Sequence, residues 1–358
     1  MKAARELMQQ GVDERVFPGG VLLIAREGRV LFFEAFGRAR LIPERPMTTH
    51  TVFDLASLTK PLATTVGLMR LVQQKKLNLD QTLGTAITAF SETNKKEVTI
   101  RQLLSHTSGF PDYRPYYKTL IKLPPADRKS KLRDLLIDED VIHEPGRASV
   151  YSDLGYMVLE WAVEVASEEK LDAFVERSIY RPLGLEHLFF IPLNQSQPKE
   201  NHHFAATEDC PWRGKILEGE VHDENAYALG GVAGHAGLFG TAQDVCQLLE
   251  ALLNAYTGKS NTGLFDRGVV QTFFERQSDL GSWALGFDTP SETNSSSGHY
   301  FSNESVGHLG FTGTSFWMDL RKGVIVILLT NRIHPTRENE RIKAFRPLLH
   351  DTVMGAIL

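Results

Sequence analysis

A serine and a lysine three residues apart, Ser57 and Lys60, are the side chains in this sequence best placed for chemistry. They open an apolar stretch with a helical pattern, and positions i and i+3 share one face of a helix. A serine hydroxyl is a poor nucleophile until a neighbouring base takes its proton. A buried lysine can be that base, because burial disfavours its charged form and lowers its pKa. The pair therefore predicts nucleophilic catalysis at Ser57.

The Ser-x-x-Lys spacing alone is a weak signal. It occurs twice more, at Ser167…Lys170 and at Ser196…Lys199, where polar neighbours are typical of a surface. Ser57 differs from both because apolar residues flank it on each side. We therefore treat Ser57 and Lys60 as the functional pair.

Two further segments could complete such a site. Tyr151 comes just before a predicted helix, and its phenol could share a proton with Lys60. Residues 307–314 form a glycine-rich strand pattern, and glycines there let a substrate lie against the backbone. The N–H groups of that strand could help to bind a developing oxyanion.

These segments, in this order and spacing, resemble the serine β-lactamase and penicillin-binding-protein superfamily, in which Ser-x-x-Lys is a motif. The resemblance covers nearly the whole chain and is closest to the class C-like branch, which includes esterases, D-amino-acid peptidases and β-lactamases. Three more segments add to it, at Phe17–Gly20, Leu103–Gly109 and Gly237–Asp244.

The resemblance implies a role for each matching residue. Ser57 would be the acylated nucleophile, and Lys60 and Tyr151 would handle the proton. The backbone N–H groups of Ser57 and Phe311 would form the oxyanion hole. No cofactor and no metal would be needed.

The sequence departs from the family pattern in two motifs. Tyr151-Ser152-Asp153 stands where Tyr-x-Asn is usual, and an ionised aspartate only accepts hydrogen bonds. An anionic Asp153 near Lys60 would favour the charged lysine, so we expect either that Asp153 turns away or that substrate recognition differs. His308-Leu309-Gly310 stands where Lys-Thr-Gly is usual, which removes a fixed cation because histidine is largely neutral above about pH 6.5.

We therefore expect a serine hydrolase that acts through an acyl-enzyme on an ester or amide, of the carboxylesterase or D-amino-acid peptidase or amidase type. A small molecule is the expected partner, with cell-wall fragments as one source. A true β-lactamase or DD-carboxypeptidase is the alternative, and a non-catalytic binding protein is a second one. The side chains expected to bind substrate are Asp153 and His308, together with Gly310 and Thr312.

A second polar cluster lies at 221–237 and contains His222, Asp223, Asn225 and His235. Three interpretations remain open from the residues. The loop could be tight, with side chains bonding the backbone, or it could line the substrate cleft. A metal site at His222, Asp223 and His235 is the third, although the spacing matches no standard zinc pattern.

Hydrophobic patterning places strands at both ends of the chain and helices in the middle. Helices are predicted at 1–10, 58–74, 100–104, 153–165, 171–179, 242–255 and 340–353, and strands at 20–25, 29–36, 283–287, 308–320 and 323–330. The expected fold class is α/β of the α+β type, an antiparallel sheet from both chain ends flanked by helices, with a largely helical insertion. The predicted domains are 1–80 with 275–358, and 81–274, with the active site in the cleft between them.

Composition excludes several classes of protein. The chain has 358 residues, 42% of them apolar, and a net charge of −5, which disfavours nucleic acid as a partner. Two cysteines are too few for a disulfide framework, and no apolar run reaches the roughly 20 residues of a membrane span. The first residues lack a signal-peptide pattern, so we expect a cytoplasmic protein, or a periplasmic or secreted one if the natural chain carries a leader.

Overall fold

The computed structural model describes residues 1–193, 202–260 and 262–357, and its main feature is a six-stranded antiparallel sheet built from both chain ends. The strand order is β3-β2-β1-β11-β10-β9. A three-stranded sheet, β4-β8-β5, and a two-stranded one, β6-β7, lie elsewhere. The strands are β1 Gly19–Arg26, β2 Arg29–Arg40, β3 Arg45–Pro46, β4 Phe53–Asp54, β5 Leu188–Phe190, β6 Asp209–Cys210, β7 Lys215–Ile216, β8 Leu238–Gly240, β9 Ser305–Leu309, β10 Ser315–Asp319 and β11 Val324–Thr330.

Helices cover the main sheet and form most of the middle of the chain. They are α1 Lys2–Asp13, α2 Val66–Gln73, α3 Leu83–Ala86, α4 Ile100–Leu104, α5 Tyr117–Leu120, α6 Pro125–Asp138, α7 Asp153–Ser167, α8 Leu171–Val175, α9 Arg181–Leu183, α10 Glu224–Ala228, α11 Ala242–Thr257, α12 Arg267–Phe274 and α13 Ile342–Ile357. The predicted fold class, with an antiparallel sheet from both ends and helices around it, is confirmed.

Strand β11 shows why the sheet sits at the centre. Successive side chains of a strand point to opposite faces, and every residue of β11 is buried. Val326 and Leu328 pack in the core that α1 and α13 share, whereas Ile325 and Ile327 pack in the larger core with the helical region. The uninterrupted apolar run therefore marks a strand covered on both faces.

Three predicted elements are wrong in detail. Residues 308–320 form two antiparallel strands, β9 and β10, joined by a turn at 310–314, because Gly313 adopts a positive φ of 108° that ends the extended run. Residues 283–287 form no strand beyond a single bridge from Trp283 to Asp288. The first helix continues past Gly11 to Asp13, so this glycine does not end it. The glycine is required by close packing, because a side chain there would collide with Phe17.

The predicted helix 58–74 has three parts. A single turn at Ala56–Leu58 is followed by a π-helical stretch at Lys60–Thr65 and then by α2. Wide π-type turns within helices are frequent at functional sites. The nucleophile candidate therefore lies where the backbone departs from regular helix.

Candidate active site

Ser57 lies on a tight turn between β4 and the π-helical stretch. Its Oγ is 3.1 Å from the Nζ of Lys60, so the two predicted side chains do meet. The residue before it, Ala56, has a φ of +48°, a left-handed conformation that is costly for a non-glycine residue. Asp54 stabilises this turn, because its carboxylate accepts a hydrogen bond of 2.9 Å from the Ala56 N–H.

Lys60 is completely buried and forms an ion pair with the second-motif residue Asp153. Its Nζ lies 2.7 Å from Asp153 Oδ1 and 3.3 Å from the carbonyl oxygen of His235. Burial lowers the pKa of Lys60, but Asp153 and Tyr151 outweigh it, and the pKa lies above its ordinary value. Asp153 therefore does not turn away, and Lys60 is an ammonium in the resting enzyme.

Tyr151 lies beside this ion pair, inside a group of aromatic rings. The Nζ of Lys60 is 4.7 Å from the centre of the tyrosine ring, and the rings of His106 and Trp283 lie 4.7 and 5.3 Å away. Burial raises the pKa of the phenol, and Lys60 and Ser57 oppose that increase. The segment before α7 is fixed by the Nδ1 of His106, which accepts a hydrogen bond of 3.0 Å from the Ser152 N–H.

The third motif runs from the end of β9 into the turn at 310–314. His308 is buried, and its Nδ1 lies 2.9 Å from the carbonyl oxygen of Leu309. Burial, Lys60 and Arg346 lower its pKa to about 3, so the histidine is neutral near pH 7. Thr312 is not among the residues that line the cleft; its hydroxyl donates to the Asp54 carbonyl 2.8 Å away, and the residue is 1% exposed.

These groups share one cleft with a volume of about 730 Å³. Of the predicted site residues, the cleft lining includes Ser57, Tyr151, Asp153, His222, Asp223, His308, Gly310 and Phe311. Lys60 reaches the cleft through Ser57, whereas Thr312, Asn225 and His235 lie behind the surface. The other walls include Tyr113, Tyr117, Trp283 and Glu224.

The 221–237 cluster combines two of its three interpretations. Asp223 caps α10 by accepting from the Ala226 N–H at 2.7 Å, and Asn225 bonds the backbone of Arg114 and Tyr117. His222 and Asp223 also line the cleft. The set His222, Asp223 and His235 does not converge, since His222 pairs with Glu208 and His235 with Asp223.

A different trio, Asp153, Asp223 and His235, brings its ligand atoms within 4.8 Å of one another. The ammonium of Lys60, which is not part of the trio, lies 2.7 Å from its member Asp153. The Asp223 carboxylate is paired with His235 at 2.9 Å, and that pairing lowers the pKa of Asp223 against the effect of burial. The positive charge beside this trio is therefore supplied by the protein itself, by the ammonium of Lys60.

The extra Ser-x-x-Lys matches do not join the site. The Ser167 hydroxyl bonds the backbone of Glu169 at the end of α7, away from the cleft. The match at Ser196…Lys199 lies outside the described residues.

Sequence reasoning missed several residues around the cleft. Asp54 joins the nucleophile turn to the cleft loop, because its other oxygen accepts from the His222 N–H at 2.6 Å. Arg332 and Arg346 line the cleft and donate to backbone carbonyls of the third motif. No spacing rule in the sequence marks such contacts, since the partners lie 21 to 168 residues apart.

Comparison with known proteins agrees with this geometry. The β-lactamase family profile matches residues 4–349. A protein of Bacillus subtilis (strain 168) named N-acetylmuramyl-L-alanine amidase is 33% identical, over 89% of this chain and 78% of its own. A protein of Escherichia coli (strain K12) with the provisional name D-alanyl-D-alanine carboxypeptidase is 32% identical, over 91% of this chain and 82% of its own.

A solved structure gives the same result in three dimensions. EstCE1, a hydrolase with promiscuous acyltransferase activity, superimposes with a TM-score of 0.74 at 25% identity, over 97% of this chain and 98% of that one. The chain belongs to the β-lactamase family. It is a serine hydrolase, and its relatives described above are named as an amidase, a carboxypeptidase and a hydrolase with acyltransferase activity. No helix in the described residues is long and apolar enough to cross a membrane.

Proposed function

We propose that this chain hydrolyses small amides derived from the cell wall, and esters of similar size, through an acyl-enzyme on Ser57. The observation that carries the proposal is the 3.1 Å contact between Ser57 Oγ and Lys60 Nζ at the floor of the cleft. The substrate class is supported by the two curated relatives, whose names specify an amide bond in one case and a peptide bond in the other.

The proposed chemistry uses the residues around that contact. Ser57 Oγ attacks the carbonyl carbon while its proton passes to Lys60 and Tyr151. The N–H groups of Ser57 and Phe311 stabilise the negative oxygen of the tetrahedral intermediate. Losing one such donor typically lowers the rate by roughly 10²–10³. The leaving amine or alcohol takes the proton, and water then releases the acyl group from Ser57 by the same steps.

Asp153 favours one protonation state of Lys60. A protonated Lys60 cannot accept the Ser57 proton, and Asp153 favours the protonated form. We propose that turnover uses the fraction of enzyme in which Lys60 is neutral. The enzyme then becomes more active as the pH rises above neutrality.

The second candidate is a DD-carboxypeptidase, whose substrate ends in a free carboxylate. His308 is neutral and offers no fixed cation to such a group. Arg332 lines the same cleft and forms no salt bridge within the described ranges, so a positive charge is nevertheless present near Phe311. This observation and the Escherichia coli relative support the second candidate.

A substrate panel tests the proposal. The panel contains a short-chain p-nitrophenyl ester, a D-amino-acid amide, a muramyl-L-alanine amide, a D-alanyl-D-alanine peptide and a chromogenic cephalosporin. We expect the wild type to cleave the ester and at least one of the two amides, and Ser57→Ala to abolish every activity. Ser167→Ala is the matched control, because it removes the serine of another Ser-x-x-Lys outside the cleft. Turnover of the cephalosporin at a higher kcat/KM than the ester and both amides, or full activity of Ser57→Ala, would contradict the proposal.

A further inference from the structure

Arg346 contacts the carbonyl side of the peptide group that links Gly310 to Phe311. Its Nη2 donates to the Gly310 oxygen at 3.1 Å and to the Thr314 oxygen at 2.8 Å. The N–H of that same peptide group belongs to Phe311, the proposed oxyanion donor. The buried guanidinium of Arg346 therefore binds the carbonyl end of the Gly310–Phe311 peptide dipole, whose N–H end would face the oxyanion.

The charge of Arg346 is not neutralised locally. The side chain is buried at 6% exposure, and it takes part in no salt bridge within the described residues. Burial and the neighbouring Arg332 lower the pKa of Arg346 to about 9, which leaves it charged at pH 7. A buried charge without a counter-ion is expensive, so a function for it is worth seeking.

The other proposed oxyanion donor has a similar support. The N–H of Ser57 belongs to the peptide group whose carbonyl is that of Ala56, and the Thr59 hydroxyl donates to this oxygen at 2.6 Å. The same hydroxyl accepts a bond of 3.0 Å from the Leu238 N–H, which fixes its direction. In the described ranges, neither the Ser57 nor the Phe311 N–H donates to a protein acceptor.

We propose that Arg346 is a positioning residue that orients and polarises the Gly310–Phe311 peptide as an oxyanion donor. This inference rests on the proposed function. Hydrogen bonds in a chain strengthen one another, and a charged donor forms a stronger bond than a neutral one. A donor fixed on the carbonyl oxygen also prevents the peptide plane from rotating, which is the preorganisation that stabilises a transition state.

Arg332 provides the internal comparison. Its Nε and Nη2 donate to the Phe311 oxygen at 2.9 and 2.6 Å, and that carbonyl belongs to the next peptide group along the chain. The Phe311–Thr312 peptide is not a proposed oxyanion donor. If polarisation acts through the peptide group, Arg346 matters more to kcat than Arg332, although both are buried arginines that donate to the same turn.

The experiment compares Arg346→Met, Arg346→Lys and Arg332→Met with the wild type on a neutral p-nitrophenyl ester, so that recognition of a carboxylate plays no part. We expect Arg346→Met to lower kcat about tenfold with KM little changed, less than the loss of a whole oxyanion donor. Arg346→Lys should restore part of the rate, and Arg332→Met should lower it less. The Ki of an aryl boronic acid, whose adduct with the serine is tetrahedral, should rise with Arg346→Met by the same factor as kcat falls.

A second readout separates polarisation from a loss of structure. The wild type should hydrolyse the thionoester of the same substrate more slowly than the ester, because sulfur accepts hydrogen bonds weakly. Arg346→Met should reduce the ratio of the ester rate to the thionoester rate. If Arg346→Met does not fold, Thr59→Val and Thr59→Ser test the same idea on the other peptide, with loss and rescue of kcat respectively. An unchanged kcat and thionoester ratio in the Arg346 or Thr59 variants would overturn the inference. A wild type that is not acylated on Ser57 would overturn the proposed function instead.

Discussion

Lys60 experiences two opposing influences within a few ångströms. Complete burial favours its neutral form, whereas the Asp153 carboxylate at 2.7 Å favours the ammonium. The carboxylate prevails, and the pKa of Lys60 is raised. An asparagine at position 153, which the family usually has, would carry no negative charge to oppose the effect of burial on the pKa of Lys60. The residue at position 153 therefore influences the pH at which Lys60, the proposed base, becomes neutral.

We predict that Asp153→Asn moves the acid limb of the pH profile of kcat/KM to lower pH. Removing the carboxylate lowers the pKa of Lys60, so the neutral base is populated at a lower pH, by about one unit or more. The measurement is kcat/KM for a p-nitrophenyl ester from pH 5 to 10; the wild-type value should rise throughout this range, and that of Asp153→Asn should rise at lower pH. Asp112→Asn is the control, because Asp112 is exposed and lies beside the Asp153 backbone. An acid limb that stays in place in Asp153→Asn would contradict this role.

At this scale the sequence predicted the central pair well. Ser57 and Lys60 share a local spacing, and Tyr151 precedes a recognisable helix, so their types and positions were visible in the chain. The direction of Asp153 was left open, because it depends on a contact that spans 93 residues. The role of Thr312 in substrate binding stays a prediction; its hydroxyl bonds the Asp54 carbonyl, since hydroxyls on a tight turn satisfy buried backbone groups.

Two elements meet closely where the third motif passes the nucleophile turn. Gly310 lies so near Leu55 that a Cβ built on it would be 2.0 Å from Thr314 Oγ1 and 2.6 Å from the Leu55 oxygen. The Thr314 hydroxyl bonds the same Leu55 oxygen at 3.0 Å. This glycine is therefore required by space, and it brings the Phe311 N–H towards the turn that carries Ser57.

We predict that Gly310→Ala destabilises the protein by about 1–3 kcal/mol, the usual cost of overpacking. It should also lower kcat at least about tenfold, since the displaced turn carries the proposed oxyanion donor, the Phe311 N–H. Urea unfolding and ester kinetics measure the two effects. Gly355→Ala is the control, because the nearest atom to its Cβ is 4.0 Å away in a regular helix. Wild-type stability and kcat in Gly310→Ala would refute the packing argument.

A buried ionic network joins the cleft loop to the segment after β11. Glu208 accepts two hydrogen bonds from Arg337, at 2.7 and 2.5 Å, and lies 3.1 Å from His222 Nε2. Burial raises the pKa of Glu208, but His222 and Arg337 outweigh it and hold the pKa at about 2. Arg337 also bonds Glu224 at 2.8 Å. The network fixes the wall of the cleft that contains His222.

We predict that Glu208→Gln lowers the free energy of unfolding by about 2 kcal/mol at pH 7, because it removes charge-assisted bonds to a partly buried arginine. The pKa is depressed from about 4.3, so this contribution is present above that pH and is lost as the pH falls towards 2. The difference in the free energy of unfolding between wild type and Glu208→Gln should therefore decrease from pH 7 to pH 3.5. Glu169→Gln, which breaks an exposed pair with Arg177, should cost well under 1 kcal/mol. A Glu208→Gln gap independent of pH would contradict the assignment.

The sequence predicted most elements because their patterns are local. The run at Val324–Thr330 and the capped helix at Ala242–Thr257 are confirmed, with Thr241 accepting from the Asp244 N–H. The turn inside 308–320 was missed, because glycines are compatible with both a strand and a turn. The π-helical stretch after Ser57 was also missed, since its hydrophobic pattern resembles that of an α-helix.

The whole molecule brings together segments that are far apart in the chain. The nucleophile turn at 56–58, the tyrosine before α7 and the third motif at the end of β9 meet in one cleft, and the main sheet pairs β1 with β11. This arrangement followed from the resemblance to a known family rather than from periodicity. The proposed domain limits, 1–80 with 275–358 and 81–274, stay a prediction.

The most direct test of the account is the mass of the intact protein after it reacts with a fluorophosphonate probe, followed by peptide mapping. The account predicts a single adduct on the peptide that contains Ser57, and none in Ser57→Ala. Labelling should increase as the pH rises above neutrality, because neutral Lys60 activates the serine. An adduct on another serine, or no adduct on folded protein across this pH range, would contradict the assignment of Ser57 as the nucleophile.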